Sequence, residues 1–158
     1  YERLLEALEY HPSGGVLFVD QPVIKGNIVT SNECQLKIER LRKYCKGINR
    51  ELYIKKHPRY EKIESKSKLK DYSDEYPIAF CVGFTSSLLV NLGGLIPAYS
   101  MTYDLVPLHL KKYVVDFESI DSNCFIDFAS DGETQIDHCG PNGKQTIFSV
   151  IDKILKGN

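Results

Sequence analysis

GVLFVDQPV, residues 15–23, is the stretch that decides the fold of this chain. An unbroken apolar run leads into Asp20-Gln21-Pro22, where the polar pair and the proline end it. A strand with one face in water alternates apolar and polar residues, whereas a continuous run suits a strand covered on both faces, as in a parallel sheet. PIAFCVGF, residues 77–84, has the same character. We therefore expect residues 16–20 and 77–82 to form central, parallel strands.

Helical and strand patterns alternate along the rest of the chain. We predict helices at 2–10, 31–47, 88–92 and 144–155, further strands at 51–55, 96–101 and 113–117, a polar surface segment at 59–76 and few regular elements at 118–142. Ser31 or Asn32 is the expected cap of the long helix. Its expected apolar stripe is Leu36, Ile38, Leu41, Tyr44 and Cys45. This alternation predicts an α/β fold, a Rossmann-like three-layer sandwich with a mainly parallel sheet.

Length and composition fit a single domain. The 158 residues are 42% hydrophobic and 26% charged, which is enough to build a core. We expect one Rossmann-like domain over residues 1–158, with residues 1–14 forming an N-terminal helix and linker. The formal net charge of −1 argues against a nucleic-acid partner. No apolar run approaches the roughly 20 residues that a membrane span needs.

The cysteines favour reduced thiols over disulfides or a metal site. Their number is odd and none forms a CxxC pair; they are Cys34, Cys45, Cys81, Cys124 and Cys139. We expect small core-filling residues in a cytosolic protein. Cys139 adjoins His138, but two adjacent ligands without a second cluster do not make the usual zinc pattern.

Three loops follow predicted strands and are the candidates for function. They are Asp20-Gln21-Pro22, His57-Pro58-Arg59 and residues 83–87, Gly-Phe-Thr-Ser-Ser. Ligands of parallel sheets bind beyond the carboxyl ends of the strands, so these loops should line one edge. Asp20 and Gln21 are suited to contacts with a sugar or a base, and equally to capping a turn.

The residue types in two of these loops suit an anion. Gly83 permits a close approach to the backbone, and Thr85, Ser86 and Ser87 open a helix whose free N–H groups attract phosphate. His57 can donate a hydrogen bond to a phosphate oxygen, and its neighbours Lys55, Lys56 and Arg59 raise the local potential. The alternatives are a simple helix cap and a solvated loop histidine. His11-Pro12 repeats the dipeptide in another context, and we assign it no function.

Taken together, these motifs resemble the bacterial sialyltransferases and polysialyltransferases. KKHPR at 55–59 is followed about 25 residues later by GFTSSLL at 83–89, like the His-Pro and Ser-Ser or Ser-Thr motifs of those families. VLFVDQPV at 16–23 and IPAYSM at 96–101 look like the strands around them. In those families the motifs lie in the C-terminal half of a GT-B fold, the half that binds the nucleotide sugar.

The resemblance implies a donor, an acceptor and a set of contacts. The donor would be CMP-sialic acid and the acceptor a glycan hydroxyl, with no metal required. His57 would contact the CMP phosphate and assist its departure, and Ser86 and Ser87 would bind the same phosphate. Pro58, Gly83, Thr85 and Gln21 would complete the donor loops. Such an enzyme would work in the cytoplasm, at the inner face of the membrane.

One family feature has no counterpart here. The Asp/Glu-Asp/Glu-Gly motif that supplies the general base belongs to the N-terminal GT-B domain, and Ser130-Asp131-Gly132 stands in the wrong order with Ser in the first place. We therefore expect the chain to be the donor-binding half of a two-domain enzyme, with the base in the other half and no turnover by itself. Two alternatives stay open: a related polymerase that uses a CDP-linked polyol phosphate, and a Rossmann-like binding module without catalysis.

Overall fold

The computed structural model describes residues 2–121 and two short strands at 135–136 and 145–146. The strands are β1 Tyr10–Val19, β2 Leu52–Lys55, β3 Lys70–Asp71, β4 Ile78–Gly83, β5 Ala98–Ser100, β6 Val115–Asp116, β7 Gln135–Ile136 and β8 Gln145–Thr146. The α-helices are α1 Glu2–Ala7, α2 Ser31–Gly47, α3 Glu64–Ser67, α4 Ser87–Leu92 and α5 Glu118–Asp121. Two short 3₁₀ helices span Tyr103–Leu105 and Leu108–Tyr113.

The sheet confirms the predicted α/β class. Its six strands run in the order β3-β2-β1-β4-β5-β6, and every neighbouring pair is parallel. β1 and β4 lie side by side in the middle, and both have buried residues on each face. This is the strand order 3-2-1-4-5-6 of the Rossmann fold, whose chain direction across the sheet reverses between strands 1 and 4. β7 and β8 form a separate antiparallel pair.

Successive residues of β1 point into two different apolar layers. Val16 and Phe18 join the cluster that contains Ile38 and Leu41 of α2. Leu17 and Val19 join the cluster that α1 and α4 complete through Leu4 and Leu89. All four β1 side chains are at most 1% exposed. Helices therefore cover both faces of the sheet, which confirms the three-layer sandwich.

The start and the buried face of α2 differ from the prediction. Thr30, not Ser31 or Asn32, is the N-cap, and its hydroxyl accepts a hydrogen bond from Glu33 N at 3.1 Å. Leu36, which was expected in the core, is 64% exposed. Cys34 is buried in its stead. Positions 34, 38, 41 and 45 repeat every three to four residues and share one face, whereas position 36 lies on the opposite side.

The N-terminal region departs further from the prediction. The predicted helix at 2–10 ends at Ala7, and β1 begins at Tyr10 instead of near residue 15. The extension pairs with the beginning of β4, because Glu9 O accepts from Ile78 N and Pro77 O accepts from Gly15 N. A Cβ at Gly14 would lie 2.6 Å from Pro77 O, so the two chains meet closely where glycine stands.

Two other predicted segments are corrected. Residues 59–76 contain α3 and β3, and Lys66 is 0% exposed, so this stretch is not wholly a surface segment. Residues 145–146 of the predicted helix at 144–155 form β8, while residues 147–155 lie outside the described part of the chain. The remaining predicted strands occur with shorter bounds, and α4 ends before Gly93 as expected.

Candidate functional site

Three loops meet at the carboxyl edge of the sheet, as their positions after strands predict. β2, β1 and β4 are adjacent and parallel, so the residues after Val19, Lys55 and Gly83 leave the sheet on the same side. The edge between β1 and β4 is the point where the strand order reverses. Ligands of doubly wound sheets bind at this point.

Gln21 and Thr85 join the loops after β1 and β4. Gln21 Nε2 donates to Thr85 Oγ1 at 3.1 Å, and Thr85 N donates to Gln21 Oε1 at 3.0 Å. The two residues are 64 positions apart in the chain. Both the nitrogen and the oxygen of the glutamine side-chain amide are thereby used, and the two loops are held in one arrangement across the switch point.

Asp20 performs the same task toward the loop after β2. Its Oδ2 accepts a hydrogen bond from His57 N at 3.2 Å, and its Oδ1 lies 2.7 Å from Lys66 Nζ. The side chains of Asp20 and Lys66 are both 0% exposed. Removing a charge from water costs free energy, and the opposite charge of the partner offsets part of that cost for each residue. The pair therefore fixes the backbone that carries His57.

Glu61 connects the loop after β1 with the segment that follows β2. Its carboxylate oxygens accept hydrogen bonds from Ile24 N at 3.1 Å and from Lys25 N at 2.7 Å. Lys66 Nζ also donates to Glu61 O at 3.4 Å. The segment that was predicted to be a polar surface thus ties the loops after β1 and β2 together. Sequence patterns did not reveal Lys66 and Glu61, because lysine and glutamate in a charged run indicate solvent exposure.

The tautomer of His57 follows from its turn. Arg59 N donates to His57 Nδ1 at 2.9 Å, so Nδ1 is the unprotonated nitrogen of the neutral ring and Nε2 carries the proton. The ring is half-buried, while Pro58 and Arg59 are exposed. Of the neighbouring cations, Lys56 is paired with Asp71 at 3.4 Å. Nε2–H is therefore the group that His57 can offer to a ligand.

His11 makes the same local turn in a different place. Ser13 N donates to His11 Nδ1 at 3.0 Å, as Arg59 N does to His57. His11 is exposed and belongs to the extension of β1, at the amino end of the sheet. The two His-Pro dipeptides thus share their local geometry and differ in position, which makes His11 an internal control for His57.

The start of α4 shows that one of the two predicted serines has a structural task. Ser86 is the N-cap, and its Oγ accepts from Leu89 N at 3.2 Å. Ser87 is the first helical residue and is exposed. A Cβ at Gly83 would lie 3.1 Å from Val19 O, so glycine lets β4 run close to β1. Among the described residues the hydroxyl of Ser87 has no hydrogen-bond partner, whereas the hydroxyl of Ser86 is bonded to the backbone of α4.

The end of β5 is tied to this loop by Ser100, which sequence reasoning missed. Ser100 Oγ donates to Phe84 O at 2.5 Å and accepts from Thr102 N at 3.1 Å. Ser100 is fully buried. Its only signal in the sequence is a polar residue at the end of an apolar strand, so its partner across 16 positions could not be predicted.

A cavity of about 440 Å³ opens beside the loops, toward β5 and β6. It is lined by the loop before α2, the first turns of α2 and the residues after β5 and β6. Its carboxylates are those of Glu33, Asp104, Asp116 and Glu118. Arg40 donates two hydrogen bonds to Glu118, both at 2.8 Å, and lowers the pKa of that carboxyl. The volume is within the range of small-molecule sites.

Three of the five cysteines lie in the described part of the chain. Cys34, Cys45 and Cys81 are buried, which confirms core filling for these three. Burial raises the pKa of Cys34 to about 11. Cys124, Asp131, His138 and Cys139 lie outside the described residues. Within residues 2–121, no group of three or more His, Cys, Asp or Glu side chains is arranged to hold a metal ion.

None of the helices in the described part of the chain is long and apolar enough to cross a membrane. Comparison of the chain with protein-family models, with curated proteins and with solved structures finds no match. The motifs and the geometry of the carboxyl edge are therefore the features that bear on function.

Proposed function

We propose that this chain binds the nucleotide of CMP-sialic acid and is the donor-binding domain of a glycosyltransferase. The observation that carries the proposal is the coupling of Gln21 to Thr85 across the switch point of a sheet ordered 3-2-1-4-5-6. Sheets of this order bind nucleotides at that point. The sialyltransferase-like motifs supply the chemical identity of the donor.

The phosphate of the donor would meet hydrogen-bond donors from two loops. Nε2–H of His57 and the hydroxyl of Ser87 are two side-chain donors at this edge. Thr85 and Ser86 have their backbone or hydroxyl groups engaged by Gln21 and Leu89, so they would position the loop more than they bind. Gly83 would serve by letting the loop lie close to β1.

His57 would act as a hydrogen-bond donor in this geometry. When a sugar is transferred from CMP, the bond between the anomeric carbon and the phosphate oxygen breaks, and its electron pair stays on that oxygen. A donor aimed at the oxygen stabilises the developing charge, which is a large term in catalysis. A neutral imidazole that keeps its Arg59 bond can donate this hydrogen bond but would not give up its proton. Full proton transfer would first require a second proton on Nδ1.

A non-catalytic binding module is the second candidate, and one observation favours it. The hydroxyl of Ser86 caps α4, and Nδ1 of His57 closes a turn, so each has a local use that needs no ligand. In that case the loops would be rigid connections only.

Calorimetric titration with CMP, CDP, UMP and UDP tests the proposal. We expect CMP to bind most tightly, and we expect EDTA to leave the affinity unchanged. Tighter binding of CDP than of CMP would favour the polyol-phosphate polymerases. The absence of binding by all four nucleotides to a chain that melts cooperatively would refute the nucleotide site and leave the non-catalytic module.

A further inference from the structure

A second cavity lies at the amino ends of the strands, opposite the carboxyl edge, and is strongly basic. It has a volume of about 580 Å³ and is formed by the C-terminal half of α2, the residues leading into β2 and the residues leading into β3. We call it the basic cavity. Its charged lining residues are Arg42, Lys43, Lys46, Arg50, Lys68 and Lys70, with Glu39 and Glu51. Six cations and two carboxylates give it a formal charge of +4, while the whole chain has −1.

The carboxylates neutralise only part of this charge. Glu39 is shared between Arg42, at 2.9 Å, and Lys68, at 3.9 Å. Lys70 packs on the rings of Tyr53 and Tyr76. Lys43 and Lys46 are exposed on α2 and take part in no ion pair found among the described residues.

Arg50 is the most informative member of the set. Its Nη1 donates to Gly14 O at 2.6 Å, and the side chain is half-buried. Burial lowers the pKa of this guanidinium, and no carboxylate among the described residues forms an ion pair with it. A partly desolvated cation without an anionic partner is costly. A guanidinium offers five N–H donors, and one carbonyl uses only a small part of them.

We propose that the basic cavity binds a phosphate-bearing group. Arginine with several lysines is the combination that recognises phosphate, through the flat fork of the guanidinium and the point charges of the ammonium groups. The cavity lies at the amino ends of β2 and β3, whereas the loops proposed for the nucleotide follow the carboxyl ends. It is thus a second anion site, and its ligand is either a soluble phosphorylated compound or the headgroup of an anionic lipid.

The cations of the basic cavity also have a structural explanation. Lysines near the C-terminus of a helix complement its partial negative charge. If that were the whole role of Lys43 and Lys46, replacing them would lower thermal stability slightly and change no binding. The experiment therefore measures binding directly.

The test uses Lys43→Gln/Lys46→Gln in the full chain, with Lys111→Gln/Lys112→Gln as the matched control. Both double variants remove two positive charges, and the control pair, half-buried Lys111 and exposed Lys112, lies on the 3₁₀ helix Leu108–Tyr113. Arg50 is not the first choice, because its bond to Gly14 O also supports β1. One arm measures inorganic pyrophosphate by calorimetry. The other measures co-sedimentation with vesicles of phosphatidylglycerol and phosphatidylcholine.

We expect at least one probe to bind, and Lys43→Gln/Lys46→Gln to weaken that binding at least about tenfold. The control pair should change it less than about twofold. Pyrophosphate binding without vesicle binding indicates a soluble ligand, and vesicle binding without pyrophosphate binding indicates a lipid headgroup. Binding of neither probe, or equal weakening by both lysine pairs, would overturn the proposal. The outcome is independent of nucleotide binding, since both pairs leave His57, Thr85 and Ser87 in place.

Discussion

Asp20 is the residue on which the candidate site depends most. Its carboxylate accepts a hydrogen bond from His57 N and forms an ion pair with Lys66. The side chains of Asp20 and Lys66 are both fully buried. Asp20→Asn keeps the shape but leaves the lysine charge buried without a counterion. We expect a loss of roughly 3–5 kcal/mol in the free energy of unfolding, measured with urea. Asp20→Asn/Lys66→Met should recover much of this loss, because the double change removes both charges.

An exposed ion pair provides the comparison for this prediction. Arg40 and Glu118 form a bidentate contact at 2.8 Å, but their side chains are 44% and 43% exposed. We expect Glu118→Gln to cost less than about 1 kcal/mol. If Glu118→Gln and Asp20→Asn cost the same, burial does not govern the strength of the Asp20–Lys66 pair.

His57 and His11 allow a comparison of two histidines in the same local turn. We expect His57→Ala to weaken CMP binding about tenfold or more, because a hydrogen bond to a charged partner contributes roughly 1.5–3 kcal/mol. His11→Ala should leave the affinity unchanged, since it removes an equivalent turn bond at the far end of the sheet. Calorimetry measures the CMP affinity of both variants. An equal loss of affinity in the two would show that the position of His57 at the carboxyl edge does not matter for CMP binding.

Cys34 gives a pH dependence with a definite sign. Its pKa is about 11 in the folded chain, against an ordinary value of 9.0, because burial disfavours the thiolate. The stabilising effect is complete below pH 9, where the thiol is protonated in both states. It is lost as the pH rises from 9 toward 11, because the unfolded chain then releases the proton more readily. The free energy of unfolding should fall less over this range in Cys34→Ala, as urea unfolding at several pH values can show.

At the scale of elements, α4 offers a way to separate capping from ligand binding. Ser86 caps this helix and Ser87 does not. Ser86→Ala should lower stability by about 1 kcal/mol even if no ligand binds there. Ser87→Ala should leave stability nearly unchanged and weaken CMP binding about tenfold, if its hydroxyl contacts the phosphate. Thr30→Ala, which removes the cap of α2, is the control that should change stability alone.

Thermal unfolding and CMP titration of the three variants distinguish the two roles of the serines. A Ser87→Ala variant with normal CMP affinity would remove the phosphate contact from the proposal. A Ser86→Ala variant that loses CMP affinity without losing stability would show that the Ser86 hydroxyl contacts the ligand and that its cap bond contributes little to stability. Either result is informative because the two serines are adjacent and differ mainly in the cap bond.

Sequence patterns identified the elements whose burial is continuous. β1 and β4 were predicted because Val16–Val19 and Ile78–Val82 leave no polar face, and this indicates cover on both sides. The part of β1 that starts at Tyr10 was not predicted, because its exposed residues show no apolar period and its pairing with Ile78 is distant in sequence. The same limit applies to the site. Its loops were predicted from strand ends, whereas the Gln21–Thr85 and Asp20–Lys66 contacts join positions that no local pattern relates.

At the scale of the whole molecule, the strand order places two ionic environments at opposite edges of one sheet. Loops with hydrogen-bond donors follow the carboxyl ends of β1, β2 and β4, and the basic cavity lies at the amino ends of β2 and β3. The four residues of β2 separate the basic cavity from the loop of His57 by roughly 13 Å, at about 3.3 Å per residue. A charge change at one end of the strands should therefore have little effect on binding at the other. This independence makes variants of either edge suitable controls for the other.

Ligand-linked stability tests the nucleotide proposal on the intact chain. CMP that binds only the folded state, at 100 times its dissociation constant, should stabilise the chain by about 2.7 kcal/mol. For a domain of this size that corresponds to a rise in melting temperature of roughly 5–10 °C. In His57→Ala a tenfold weaker affinity should reduce the stabilisation to about half, because it depends on the logarithm of the ligand concentration. Lys43→Gln/Lys46→Gln should keep the full shift, and a rise that is equal for CMP and UMP would show that the cytosine is not recognised.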